Sequence, residues 1–144
     1  MLPTPMQAHA LRLHPDQDLR AELANFAQQN QLQAAAILTA VGSLRQATLR
    51  FAGADSATVL EGPWEIVSLE GTLSMYGLHV HGAIASASGN TLGGHIMLGC
   101  LVHTTVEIII ASLPRYCFQR ELDPQTGYRE LSIDPASKFP PELP

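Results

Sequence analysis

Two hydrophobic periods run along this chain: one short helical stretch is set among a longer series of alternating segments. Residues 7–14 (QAHALRLH) alternate apolar with polar, as a half-buried strand does, with Ala8, Ala10 and one of Leu11 or Leu13 turned inward. Pro15-Asp16 opens a helix. From Asp18 the apolar residues Leu19, Leu23, Phe26 and Ala27 line one helical face, and the polar run Gln28-Gln29-Asn30-Gln31 ends it.

Everything after that run reads as β. Residues 34–41 (AAAILTAV) make a short apolar run suited to a buried strand, Gly42-Ser43 is a turn or bulge, and residues 44–51 (LRQATLRF) alternate. The pattern breaks over residues 52–56, and a short strand follows at 58–61. Gly62-Pro63 separates that strand from WEIVSLEGTLS, where Trp64, Ile66 and Ser68 oppose Glu65, Val67 and Leu69. A glycine- and histidine-rich hairpin fills residues 77–97. Strands are predicted at 104–112 and 115–121, then a turn at Asp123-Pro124-Gln125-Thr126-Gly127 and a last strand at 128–133. The remainder, DPASKFPPELP, is proline-rich and reads as irregular. Many antiparallel strands with one main helix give an α+β fold: a mostly antiparallel sheet with the helix packed on one face. With 144 residues and no repeat or linker, the expectation is a single domain over 1–144, its core at about 7–133 and a tail at 134–144.

Composition changes this picture in two ways. Charged residues make up 15% of the chain, against roughly 25% in an average soluble chain. Part of the surface is therefore expected to be covered by another copy. The net charge is −5 and the isoelectric point about 5.6. The eight basic residues, Arg12, Arg20, Arg45, Arg50, Arg115, Arg120, Arg129 and Lys138, form no run. Duplex DNA binding draws its affinity largely from phosphate neutralisation, so direct DNA binding is not expected. The first residues lack a charged segment followed by an apolar core, and no apolar run approaches the 18 or so residues of a membrane span. A cytoplasmic protein without a membrane segment is the expectation, with Cys100 and Cys117 as buried thiols.

The chemistry concentrates in GLHVHGAIASASGNTLGGHIM. Residues two apart on a strand share a face, so His79 and His81 project together. The direction of His95 depends on the turn. A three-residue loop, Ala87-Ser88-Gly89, pairs Ser86 with Asn90 and His81 with His95, and puts all three imidazoles on one side. A two-residue Ser88-Gly89 turn sets His95 opposite Gly82 and on the other face. Three neutral imidazoles with an open position suit zinc or a similar divalent ion. An HxH pair on a strand also occurs as hydrogen-bonded or solvated imidazoles. Among the other polar residues, Cys100 reads as a small buried residue and His103 as a possible extension of the site. Glu107 reads as an outward residue on an alternating strand or a buried carboxylate in need of a partner. His9 and His14 have no spacing that links them to the hairpin. No GxSxG elbow or phosphate-binding glycine loop occurs.

In order along the chain, AILTAVGSLRQATLRF, WEIVSLEGTLS, LHVHGAIASASGNTLGGHIMLGCLVHTTVEIIIAS and YCFQRELDPQTGYREL resemble the PPC domain, the plants-and-prokaryotes-conserved family of unknown function. The likeness runs from about Gln7 to Ile133, and its most specific part is Gly42-Ser43, HxH, and GGH followed by GC and TTxE. It implies an α+β homotrimer. In the prokaryotic branch the HxH and GGH histidines go with a bound metal, most plausibly zinc, and those positions match His79, His81 and His95 here. Plant members carry basic AT-hook segments that bind DNA, and no Arg-Gly-Arg-Pro core occurs in this sequence. The functions that follow are a trimeric metal-binding domain with a small-molecule ligand or reaction, or else a DNA-associated regulatory module without catalysis. In a third reading the histidines serve only to stabilise the trimer.

Overall fold

The computed structural model describes residues 3–136. In chain order the elements are β1 (Gln7–Leu13), α1 (Leu19–Gln29), β2 (Ala35–Arg50), β3 (Thr58–Ser74), β4 (Gly77–Ala85), β5 (Thr91–Ile96), β6 (Leu101–Ser112), β7 (Tyr116–Leu122) and β8 (Arg129–Pro135). The first six strands form one antiparallel sheet in the order β1-β6-β2-β3-β4-β5, and β7 pairs with β8 in a second, two-stranded sheet. The α+β class follows from the sequence pattern as expected.

Among the described residues the one α-helix begins at Leu19, later than the Pro15-Asp16 opening expected, because Pro15-Asp16 forms a turn in which Asp16 takes φ +67°. Asp18 caps it, its carboxylate accepting from the backbone N–H groups of Arg20 and Ala21. Leu19, Leu23 and Ala27 are wholly buried where the helix lies against β3 and β6. The core below it is built from Leu44, Leu49, Val80, Ile84, Ile96, Val102, Ile108 and Ile110, all nearly inaccessible.

Several expectations need correction. In β1, Leu11 and Leu13 face the core with His9, and Ala8 and Ala10 face out. The strand buries its larger side chains, because buried apolar area sets the free-energy gain. Of the turn or bulge expected at Gly42-Ser43 the structure shows the bulge, a register shift that joins the two expected strands into one of 16 residues. Likewise Thr58–Ser74 is one strand that runs through Gly62-Pro63, whose peptide bond is cis. The simple alternation in WEIVSLEGTLS fails because the β3–β4 register slips between Ile66 and Ser68, which leaves Val67 exposed and Leu69 buried. Finally, β8 extends to Pro135, so Asp134 and Pro135 are strand residues rather than irregular tail; residues 137–144 lie outside the described region.

One feature of the sheet positions the site. β5 pairs with β4 along one edge and returns on its other edge to β2, through Leu49↔Ile96 and Arg50↔His95. Strands β2, β3, β4 and β5 thus close into a ring whose interior holds Leu49, Leu69, Val80 and Ile96. Alternate residues face away from that core.

Candidate metal centre

The hairpin between β4 and β5 turns through three residues. Ser86 donates its backbone N–H to Asn90 O (2.9 Å), and Gly89 donates to Ser86 O (2.8 Å). Gly89 takes φ +81°, a conformation that glycine adopts without strain. The odd loop pairs His81 with His95 and Gly82 with Gly94. The other side of β4 is set by a second turn, Met75-Tyr76, which pairs Ser74 with Gly77, Thr72 with His79 and Glu70 with His81.

Directly opposed residues share a face of the sheet. Glu70, His81, His95 and Arg50 therefore form one row across β3, β4, β5 and β2, with His79 and Thr72 in the neighbouring row. The three imidazoles meet there. Ring centroids are 4.9 Å apart for His79 and His81, 5.1 Å for His79 and His95, and 5.2 Å for His81 and His95. One ring nitrogen from each lies within 4.8 Å of the others, and the Nε2 atoms of His79 and His81 are 3.1 Å apart. The close packing of β3 on β4 depends on Gly71. A Cβ there would stand 2.2 Å from the carbonyl oxygen of His79.

These side chains fit a metal ion on the structure's own terms. Imidazole nitrogens at tetrahedral Zn–N lengths of about 2.0–2.1 Å stand roughly 3.3 Å apart, a spacing that small side-chain adjustments reach from this arrangement. Nδ1 of His95 is buried with no hydrogen-bond partner among the described residues, a state that a buried polar atom rarely keeps. Two of the rings, those of His79 and His95, are also biased toward the neutral form that metal ligation requires. Burial lowers the pKa of His95 to about 4, helped by the positive charge of Arg20 and the neighbouring histidines. Burial lowers that of His79 too, with Arg120 and His81 acting in the same direction.

Arg20 reaches this site from the first turn of α1. Its guanidinium donates to Ile96 O (3.0 Å) and Leu78 O (3.5 Å), one carbonyl next to His95 and the other next to His79. Beyond the histidines the β7–β8 hairpin forms a wall. It is docked through Phe118 N–H to Gln33 O and Ser74 Oγ to Phe118 O, both 2.8 Å. Between this wall and the β3–β4 face lies an open cleft of about 370 Å³ lined by Glu70, Thr72, His79, His81, Arg120 and Glu130, among others.

The other sequence candidates lie elsewhere. Cys100 is buried, its thiol donating to Thr48 O (3.4 Å), and burial raises its pKa, so it does not extend the site. Cys117 is likewise buried. His103 is exposed beside Thr104 Oγ1 (3.1 Å), and Glu107 faces out opposite Arg12 and Val41. His9 bonds Ser112 Oγ (3.1 Å), and His14 is exposed. Arg20, Arg50, Glu70, Arg120 and Glu130 were not singled out from the sequence. Counting registers outward from the Met75-Tyr76 turn would have found Glu70; the others depend on non-local packing.

The family model of the Plants and Prokaryotes Conserved (PCC) domain matches residues 3–114. The chain belongs to this family. Among relatives of this PCC-domain chain, the bifunctional protein GlmU of Synechococcus sp. (strain JA-2-3B'a(2-13)) is 47% identical over 140 residues. The match covers 97% of this chain and 22% of that protein, so the chain spans about a fifth of its curated relative. A hypothetical protein from Salmonella cholerae-suis superposes with a TM-score of 0.91 at 43% identity, covering 93% of this chain and 97% of the other. A metal-containing protein from Archaeoglobus fulgidus superposes with a TM-score of 0.77 at 25% identity, covering 92% and 99%. The PCC match ends before β7, so the β7–β8 wall of the cleft lies beyond the matched residues.

Proposed function

We propose that His79, His81 and His95 are the protein ligands of one divalent metal ion, zinc foremost, in a homotrimeric, cytoplasmic, single-domain PCC protein that binds or transforms a small molecule. The observation that carries this reading is the convergence of three ring nitrogens within 4.8 Å, from two strands whose register brings them together. The metal-containing relative from Archaeoglobus supports it. Three protein ligands leave a coordination position open to water or a ligand, the arrangement of catalytic rather than structural zinc sites. A bound ion would supply Lewis-acid or hydroxide chemistry at that position. The chain's own residues prepare the place. Burial and Arg20 keep His95 unprotonated, Gly71 lets β3 pack tightly behind His79, and Glu70 stands across from His81 as the carboxylate on the same row. The trimer reading rests on the low charge content and on the exposed Leu38, Val41, Val59 and Val67, apolar surface suited to burial against another copy.

Metal analysis of protein purified without a nickel column tests the site. We expect stoichiometric zinc in the wild type and its loss in His81→Ala. Zinc added back to metal-stripped protein should raise the melting temperature of the wild type and not of His81→Ala. A ligand present at 100 times its dissociation constant contributes about 2.7 kcal/mol. Protein that holds no metal and melts unchanged with added zinc would overturn the reading.

A further inference from the structure

The cleft between the histidines and the β7–β8 hairpin carries a second function-bearing group, Arg120. It lies on β7, beyond the residues that define the family match. Two contacts hold it in place. Its guanidinium donates through Nη2 to Arg129 O, and its Cγ lies where a side chain on Gly77 would stand, 2.9 Å from the position of a Cβ. In return Arg129 donates to Arg120 O (3.0 Å), which ties the two hairpin strands together at this point. Arg120 lines the cleft together with Glu70 and Glu130, yet it forms no ion pair with any described carboxylate. Glu130 is instead engaged by the hydroxyl of Thr126 (3.1 Å).

A guanidinium has five N–H donors and no acceptor, and its planar fork matches the oxygens of a carboxylate or phosphate. An arginine tethered to the wall of a cleft and unmatched by the acids beside it has donors left for a ligand. The cleft's volume lies at the small end of ligand-binding sites. It therefore suits a compact molecule. Glu70 and Glu130 add acceptors on the same lining, which match a hydroxyl or amino group on that molecule.

We propose that this cleft binds a small oxyanion, a carboxylate or phosphate group carried next to a hydroxyl or amino function, with Arg120 holding the anionic end beside His79 and His81. The assignment deepens the metal reading and rests on it for the placement of the ligand at the histidines. Arg120 is then the specificity residue that the β7–β8 hairpin contributes to the cleft.

The test uses whole protein in zinc-loaded and metal-free forms, with metal content measured before and after each calorimetric titration. Glycolate and inorganic phosphate are the two probes, which separates a carboxylate from a phosphate source; neutral glycolamide is the control. Zinc-loaded wild type should bind one of the two anions and not glycolamide. Arg120→Gln should weaken that binding at least tenfold with zinc retained. Arg120→Lys, which keeps the charge and loses the fork, should fall between the two. Arg12→Gln on β1, an equal charge change far along the sheet, should bind like the wild type. If Arg120→Gln misfolds by circular dichroism, the Lys variant decides: a drop in affinity with zinc retained supports the assignment. No anion binding to zinc-loaded wild type, or binding unchanged in a folded Arg120 variant, overturns it. Protein that takes up no zinc but binds an anion through Arg120 sinks the metal reading and leaves the cleft assignment standing.

Discussion

His95 combines two properties that rarely coexist in an idle residue: a half-buried ring held neutral, and a buried Nδ1 without a hydrogen-bond partner. The first has a measurable consequence for stability. An unfolded histidine takes up its proton near pH 6.5, whereas His95 in the folded chain does so near pH 4. Between those values the unfolded state binds more protons, so folding free energy falls as the pH drops and levels off below the folded value. Metal-free protein should thus lose stability from about pH 6.5 to 4, with His79 acting in the same direction. Urea midpoints measured across that range check it, and His95→Gln should flatten the slope. A midpoint equally steep in the variant would show that other groups cause the loss. His79 and His81 were legible in the sequence as a pair because HxH parity needs only a strand. Arg20 was not, because its approach to Leu78 O and Ile96 O exists only once the helix is docked.

At the level of elements, the decisive unit is the Ala87-Ser88-Gly89 loop. Its odd length sends His95 to the face of His79 and His81, and an even length would send it to the other. Parity, rather than loop length, is therefore the variable to manipulate. Deleting Ser88 should abolish zinc uptake and destabilise the hairpin, because Ile96 would leave the core as His95 entered it. Inserting two residues between Ser88 and Gly89 keeps the parity and should retain zinc, since lengthening a surface loop costs only a fraction of a kcal/mol up to about 0.6 per doubling. Zinc content of the two purified variants decides between parity and mere loop disruption. Equal loss in both would point to disruption. The same attention to register explains the long strands. The helix and the succession of strand segments could be read from periodicity, with a bulge at Gly42-Ser43 as one alternative, but the order of strands in the sheet and the continuity of β3 through Gly62-Pro63 could not. Gly42 is tolerated inside β2 because β3 and β6 pair with it on both sides, and Gly62-Pro63 sits at a register shift of β2 on β3, before the pairing with β4 begins.

For the whole molecule, charge and apolar surface bear on partners. Among the described residues no helix is long and apolar enough to cross a membrane. The acidic balance and scattered arginines work against phosphate neutralisation. We expect no gel shift with duplex DNA even at low salt, and a complex that weakens steeply as salt rises would restore direct DNA binding. Sedimentation should give three times the 15.5 kDa of the chain. A single-chain mass at working concentration would remove the trimer. Chelation separates the site from the assembly. If the histidines serve only the trimer, removing metal should dissociate it; if they serve a ligand, the trimer should persist.

The sequence by itself determined the class of fold, the one helix, and the grouping of His79 with His81, because each depends on local periodicity and side-chain chemistry. It narrowed His95 to two directions and stopped there, since one residue of loop separates them. Tertiary structure chose the direction and closed β5 onto β2. That closure brought Arg50 into the histidine row, and the docking of β7 on Ser74 and Gln33 set Arg120 across the cleft. Contacts of that kind join strands far apart in the chain, and no local pattern of apolar and polar residues encodes which distant face they will meet.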